Sequence, residues 1–178
     1  MKPKPVKVSP EIEAYVKKIE DNLEGRDPVK VQAATYKRLV KLVEGLSARE
    51  LDSRPAPDRW SIRDIIGHLA DGEIVTSYRY RKILSEDRPQ IEGYDQEALA
   101  ERLRKQKEPV RDALERFRVL RESNLKLIRS TPKSDWDRYG VHAERGNESF
   151  GRLVILLAGH DLNHLKQVEA LCKELKGR

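Results

Sequence analysis

Four long segments of this chain repeat their apolar residues every three or four positions, and that periodicity is what most restricts its fold. The first runs from about Val29 to Leu46, with Val29, Ala33, Tyr36, Val40 and Val43 on one stripe. The second starts behind Ser61 and reaches about Ser85 through Ile62, Ile65, Ile66, Leu69 and Ile74. The third extends from about Gln96 to Arg129 through Leu99, Leu103, Val110, Leu114, Phe117 and Leu120. The fourth begins near Ser149 and carries Phe150, Leu153, Val154, Leu157, Val168 and Leu171 toward about Glu174. Each stripe is amphipathic-helix spacing, and four such stripes must bury against one another. The expected fold is all-α, a four-helix bundle over residues 29–178. An additional short helix from Ser9-Pro10-Glu11 to about Leu23 precedes it, so residues 1–28 read as an N-terminal arm and short helix.

Punctuation supports these limits. Ser61 followed by Asp64 is a capping-box variant. Pro109 falls inside the third stripe, where proline costs roughly 3 kcal/mol, so a kink or break is expected there. SARELDSRPAPDRW reads as a break in the pattern, and TPKSDWDRYGVHAERGN as a loop. No strand and no internal repeat is expected. The connection EDRPQIEGYDQ is too long for a tight hairpin, which favours a topology other than simple up-and-down.

Composition narrows the function. Charged residues make up 37% of the 178 and the net charge is +6, but the signs are interspersed, as on solvated helix faces. The one compact basic bias is MKPKPVKV, kept extended by Pro3 and Pro5. No nucleic-acid motif accompanies it. No apolar run reaches the ~18 residues of a membrane span, and no signal-peptide core is present. Cys172, the single cysteine, cannot form an internal disulfide and reads as a small core or interface residue. A cytoplasmic location is expected.

The chemistry concentrates in the histidines. Two of the four, His160 and His164, sit four apart in AGHDLNHLK on the inward stripe of the fourth helix. At that spacing the imidazoles share one face, about 5–6 Å apart at Cβ, and can share one ion. His68, beside Ile65 and Leu69 in the second helix, can supply a third nitrogen if the two helices are neighbours. Neutral imidazole suits zinc, nickel, copper or iron. Asp64 and Asp71 flank His68 as candidates for a base or a hydrogen-bond partner of a ligand, with Glu73 and Asp161 behind them. Capping explains Asp64 equally well. His142 and Tyr94 are candidate substrate contacts. Arg79 and Arg81 can meet an acidic substrate or simply face water. Trp60 and Trp136 are expected to pack at bundle ends.

The stretches RWSIRDIIGHLADGE, EDRPQIEGYDQEALA and HAERGNESFGRLVILLAGHDLNHLKQVEAL, in this order from about Trp60 to Leu171, resemble the DinB-like superfamily of metal-binding four-helix bundles. Within it they are similar to the YfiT-like metal-dependent hydrolases. The resemblance implies a bundle with a long crossover. It also implies a divalent transition metal, zinc or nickel first, held by His68, His160 and His164. Related members include bacillithiol-dependent transferases and mycothiol-dependent isomerases, so a low-molecular-weight thiol is a possible cofactor, and a homodimer is expected. The reading is therefore a metal-dependent enzyme that activates water or a thiol for hydrolysis or thiol transfer on a small electrophile. The alternative is a non-catalytic metal- or ligand-binding stress-response protein.

Overall fold

The computed structural model describes residues 8–104 and 108–177. The basic stretch at the start of the chain therefore lies almost wholly outside the described residues. Seven α-helices follow in order among them: α1 (Pro10–Asp21), α2 (Pro28–Val43), α3 (Ala48–Asp52), α4 (Ile62–Ser85), α5 (Gln96–Arg104), α6 (Val110–Ser130) and α7 (Phe150–Lys176). Three short strands are inserted, β1 (Gln90–Ile91), β2 (Tyr139–His142) and β3 (Gly146–Ser149).

The helices begin where the side chains can satisfy free backbone N–H groups. Asp27 caps α2 just before Pro28, and Ser149 caps α7 through the N–H of Arg152. Ser61 and Asp64 form a reciprocal capping box on α4. The long third helix is broken: Pro109 has an extended ψ of 135° and stands as N-cap of α6, so α5 and α6 are separate elements. Helix α3, in the stretch read as irregular, is closed by a Ser47–Glu50 capping box.

The bundle is formed by α2, α4, α6 and α7. Both α2 and α4 pack on α6 and on α7, so α2 and α4, successive bundle helices, lie diagonally opposite. Two apolar clusters fill it. One gathers Leu39, Ile66, Phe117 and Leu165, the other Tyr80, Ile128, Phe150 and Val154. Between them along the helices lies a buried polar layer made by Gln32, Thr35, Glu73, Arg121, Asn124 and Asp161. Arg121 donates to both carboxylates and to the Gln32 carbonyl. Asn124 donates to Glu73, and Thr35 to Asp161. Every one of the four bundle helices contributes, so the layer fixes their relative height.

The expectation of no strand is corrected. The order in the sheet is β1-β2-β3, with β1 parallel to β2 (Ile91 beside His142) and β2 antiparallel to β3 (His142 beside Gly146). Gly146 at φ 70° makes the turn that a side chain would strain. His142 is thus the last residue of a strand and not part of a loop. The sheet ties the crossover after α4 to the segment that enters α7.

Helix α1 lies on α7 because Gly159 has no side chain. A Cβ there would stand 2.0 Å from the Ile19 carbonyl oxygen. Val16 and Ile19 are the buried residues of α1. No described helix is long and apolar enough to cross a membrane.

Candidate metal centre

His68 lies in the second turn of α4, and His160 and His164 in the middle of α7, one turn apart. Since α4 packs on α7, the three rings meet. Nε2 of His160 is 3.0 Å from Nε2 of His68 and 3.1 Å from Nε2 of His164. The three potential ligand nitrogens all lie within 4.8 Å of one another. Two nitrogens bound to one ion at about 2.0–2.1 Å stand roughly 3 Å apart when nearly perpendicular, so the observed spacing suits a shared ion.

The protonation chemistry agrees. Burial holds His68 down to about 3, with the neighbouring His164 adding to the effect. Burial first and then the two other histidines hold His160 well below its ordinary value. His164 is lowered by burial against the opposing pull of Gln167 and Asp161. Neutral rings offer a lone pair. Nδ1 of His164 is 2.7 Å from Oε1 of Gln167, a contact that needs the proton on Nδ1 and leaves the Nε2 lone pair facing the other rings. Nδ1 of His160 has no partner among the described residues, so the polar contacts of that ring lie on its Nε2 side.

Trp60 packs against the bundle core just before α4, as expected, and its indole also lies parallel to the His164 ring, 6.1 Å between centroids, and 4.9 Å from His68. Trp136 does sit away from the histidines, edge-on to Phe150. Behind His160, Asp161 points into the Arg121 layer with Glu73. Burial opposes the Arg121 charge, but these two carboxylates outweigh it and raise its pKa. The layer acts on the rings in opposite senses: Arg121 helps to lower His160, and Asp161 pulls His164 up.

The histidines stand between two clefts. On the His68 side, about 310 Å³ is bounded by α4, α5 and α6 and holds Arg63, Asp64, Asp71, Glu108 and Arg116. Asp64 accepts from Ser61 N and pairs with Arg54, which is its helix-capping position. Asp71 accepts from Arg116 at 2.9 Å. Burial raises its carboxyl above the ordinary range, Arg116 opposes this, and Glu108 adds to it. On the His160 side, about 430 Å³ runs between α4 and α7 beneath α1 and reaches Tyr94 and His142. The two substrate-contact candidates therefore share a cleft, and the two acids share the other.

Sequence reasoning left Arg79 and Arg81 equivalent. They are not. Arg81 bonds to Ser77, Ser123 and Asn124 around the outside of α4 and α6. Arg79 is buried and faces the His160-side cleft. The roles of Trp60 and α1 carried no sequence signal, because each depends on tertiary placement.

Residues 33–168 match the family model of the DinB superfamily. The chain belongs to the DinB superfamily. As a DinB-superfamily protein it is similar to a relative from Oceanobacillus iheyensis named "Putative metal-dependent hydrolase", 31% identical over 76% of this chain and 79% of that one. A relative of the same name from Bacillus cereus is 27% identical over 77% and 79%. Among solved structures, YfiT from Bacillus subtilis superimposes with a TM-score of 0.77 over 99% of this chain and 94% of its own, at 20% identity. That structure is titled a probable metal-dependent hydrolase with an unusual four-helix bundle topology. The likeness shows the fold, a four-helix bundle.

Proposed function

We propose that this DinB-superfamily protein is a metal-dependent enzyme acting on a small electrophilic molecule, with one divalent transition metal, zinc or nickel, held by His68, His160 and His164. The observation that carries the reading is the convergence of three imidazoles, with Nε2 of His160 3.0 Å from that of His68 and 3.1 Å from that of His164 and all three within 4.8 Å of one another. The names of the relatives support hydrolysis as the first reaction to test; thiol transfer is the second. Three protein nitrogens leave coordination positions open, as in catalytic sites. Held by these three residues, a divalent ion would supply Lewis-acid chemistry, which makes water or a thiol a better nucleophile near neutral pH.

The chain's own residues do the rest. Gln167 holds the His164 tautomer. Trp60 covers two of the rings and limits water access from that side. Asp71, its carboxyl raised by burial, accepts the proton released by the nucleophile, and Arg116 holds it in place. Elemental analysis of the untagged protein tests the reading. The expected result is about one equivalent of metal per chain in the wild type and nearly none in His160→Ala. Metal-free protein under conditions that do not strip the site would overturn it. Assays of 4-nitrophenyl esters, with and without added thiol, then separate hydrolysis from thiol transfer.

A further inference from the structure

We propose that Arg79 and His142 form an anion-binding subsite at the far end of the α1-covered cleft. It takes the carboxylate of a small amphipathic molecule whose apolar body lies between α4 and the wall made by α1 and α7.

The geometry begins with α4. Arg79 is eleven residues beyond His68, which on an α-helix is three turns and about 20°. Gly72, Val75, Thr76 and Arg79 thus line one face leading away from the histidines, and all four line the same cleft as His160. Gly72 has open space where a Cβ would be, which keeps the cleft clear near the rings. The opposite wall is apolar, with Val16 and Ile19 from α1 and Leu153 and Leu157 from α7.

Arg79 ends this channel and is only 8% exposed. A guanidinium so placed calls for a carboxylate, yet Arg79 has no ion pair among the described residues. Its one acceptor with a fixed role there is the Glu92 carbonyl. The nearby acids are committed or at the rim. Arg145 holds Glu148 with two hydrogen bonds. Asp95 caps α5 through the N–H groups of Glu97 and Ala98. Glu144 is exposed and lies against Gly93.

His142 adds a second donor. Its Nδ1 accepts from the backbone N–H of Glu144 at 3.1 Å and of Arg145 at 3.3 Å. The ring proton is therefore on Nε2, which is 3.5 Å from Nη2 of Arg79. Two donors aimed at the same small space cannot bond each other; they share an acceptor. With Glu148 held by Arg145, the Arg79 charge calls for a monoanion, and the exposed acids at the rim (Asp95, Glu97 and Glu144) disfavour anything more highly charged. A carboxylate fits a guanidinium fork beside a neutral N–H donor.

That this molecule is the substrate rests on the metal-dependent reading; that it binds does not. The test is isothermal titration of the full chain, metal-free and zinc-loaded, with a series of straight-chain and phenyl-substituted alkanoates and their primary amides. The expected result is a member of the series that binds at least about tenfold more tightly as carboxylate than as amide, with or without zinc. Arg79→Gln should bring the carboxylate down to the level of its amide. Its melting temperature should change little, since a buried cation without an ion pair is removed along with its bond to the Glu92 carbonyl and its contact with the Tyr94 ring. Should Arg79→Gln fail to fold, His142→Gln carries the test and should cut the preference severalfold.

Equal affinity for acid and amide throughout the series would overturn the proposal. So would a preference that survives Arg79→Gln, or one seen only with zinc and lost in His160→Ala, which would put the anion on the metal. An Arg79-dependent preference in protein that binds no zinc would keep the subsite and overturn the metal reading alone.

Discussion

The two clefts that flank the histidines differ in what they can do. The His68 side is smaller and charged, with Asp71 and Glu108 both held by Arg116 and the capping Asp64 at its edge. The His160 side is larger and mostly apolar, with its polar groups gathered at the far end. A site for a proton needs groups whose charge can change; a site for a substrate body needs dry surface and a few placed donors. On the proposed function these needs fall in the two clefts, one lined by His68 and the other by His160, so changes in one should alter rate and changes in the other should alter affinity.

Asp71→Asn tests that division most strongly. Turnover of a 4-nitrophenyl ester by the metal-loaded protein should fall about 10²–10⁴-fold with KM nearly unchanged; a change in KM alone would place substrate on the wrong side. Next comes the layer behind the wall the clefts share. Arg121→Met leaves Glu73 and Asp161 buried without their cation, and should cost about 3–5 kcal/mol in chemical denaturation. A loss under about 1 kcal/mol would mean that this layer does not hold the four helices in register.

Gly159→Ala acts on the apolar cleft alone. The added methyl meets the Ile19 carbonyl, and displacing α1 should cost about 1–3 kcal/mol, less the helix propensity gained, about 1 kcal/mol. Zinc stoichiometry should stay the same while KM rises. The smallest effect is a pH dependence. Burial first, and then Arg145, hold His142 down to about 4 from an ordinary 6.5. As pH falls below 6.5 the unfolded chain takes up the proton before the folded one does. The contribution of this ring is therefore complete above 6.5 and is lost as pH drops toward 4. Near pH 5.5 the wild type should lose roughly 1 kcal/mol that His142→Gln does not lose, read as the difference between their melting curves.

Much of the architecture was readable before any coordinates. Apolar spacing located the bundle helices, Ser61 and Asp64 marked the start of α4, and Pro109 marked the break before α6, because each acts through local backbone chemistry. The i, i+4 placement of His160 and His164 followed from helix geometry alone. The sheet was not readable: strands of two to four residues give no alternation, and β1 pairs with β2 across about fifty residues. Trp60 shows the same limit, since nothing in its neighbours along the chain says that it will stack on a histidine a hundred residues away. Arg79 and Arg81 have the same chemistry two positions apart, yet a rotation of about 200° around α4 buries one and exposes the other.

The closeness of α1 to Gly159 has a consequence for how such proteins diversify. The matched family region begins at residue 33, so Val16 and Ile19 fall before it, although they form one side of the channel leading to His160. The three histidines and the helix that covers their cleft thus belong to separate stretches of the chain. Exchanging roughly the first two dozen residues for another amphipathic helix with a small residue opposite would give the same histidines a new selectivity filter, with no revision of the bundle beneath it.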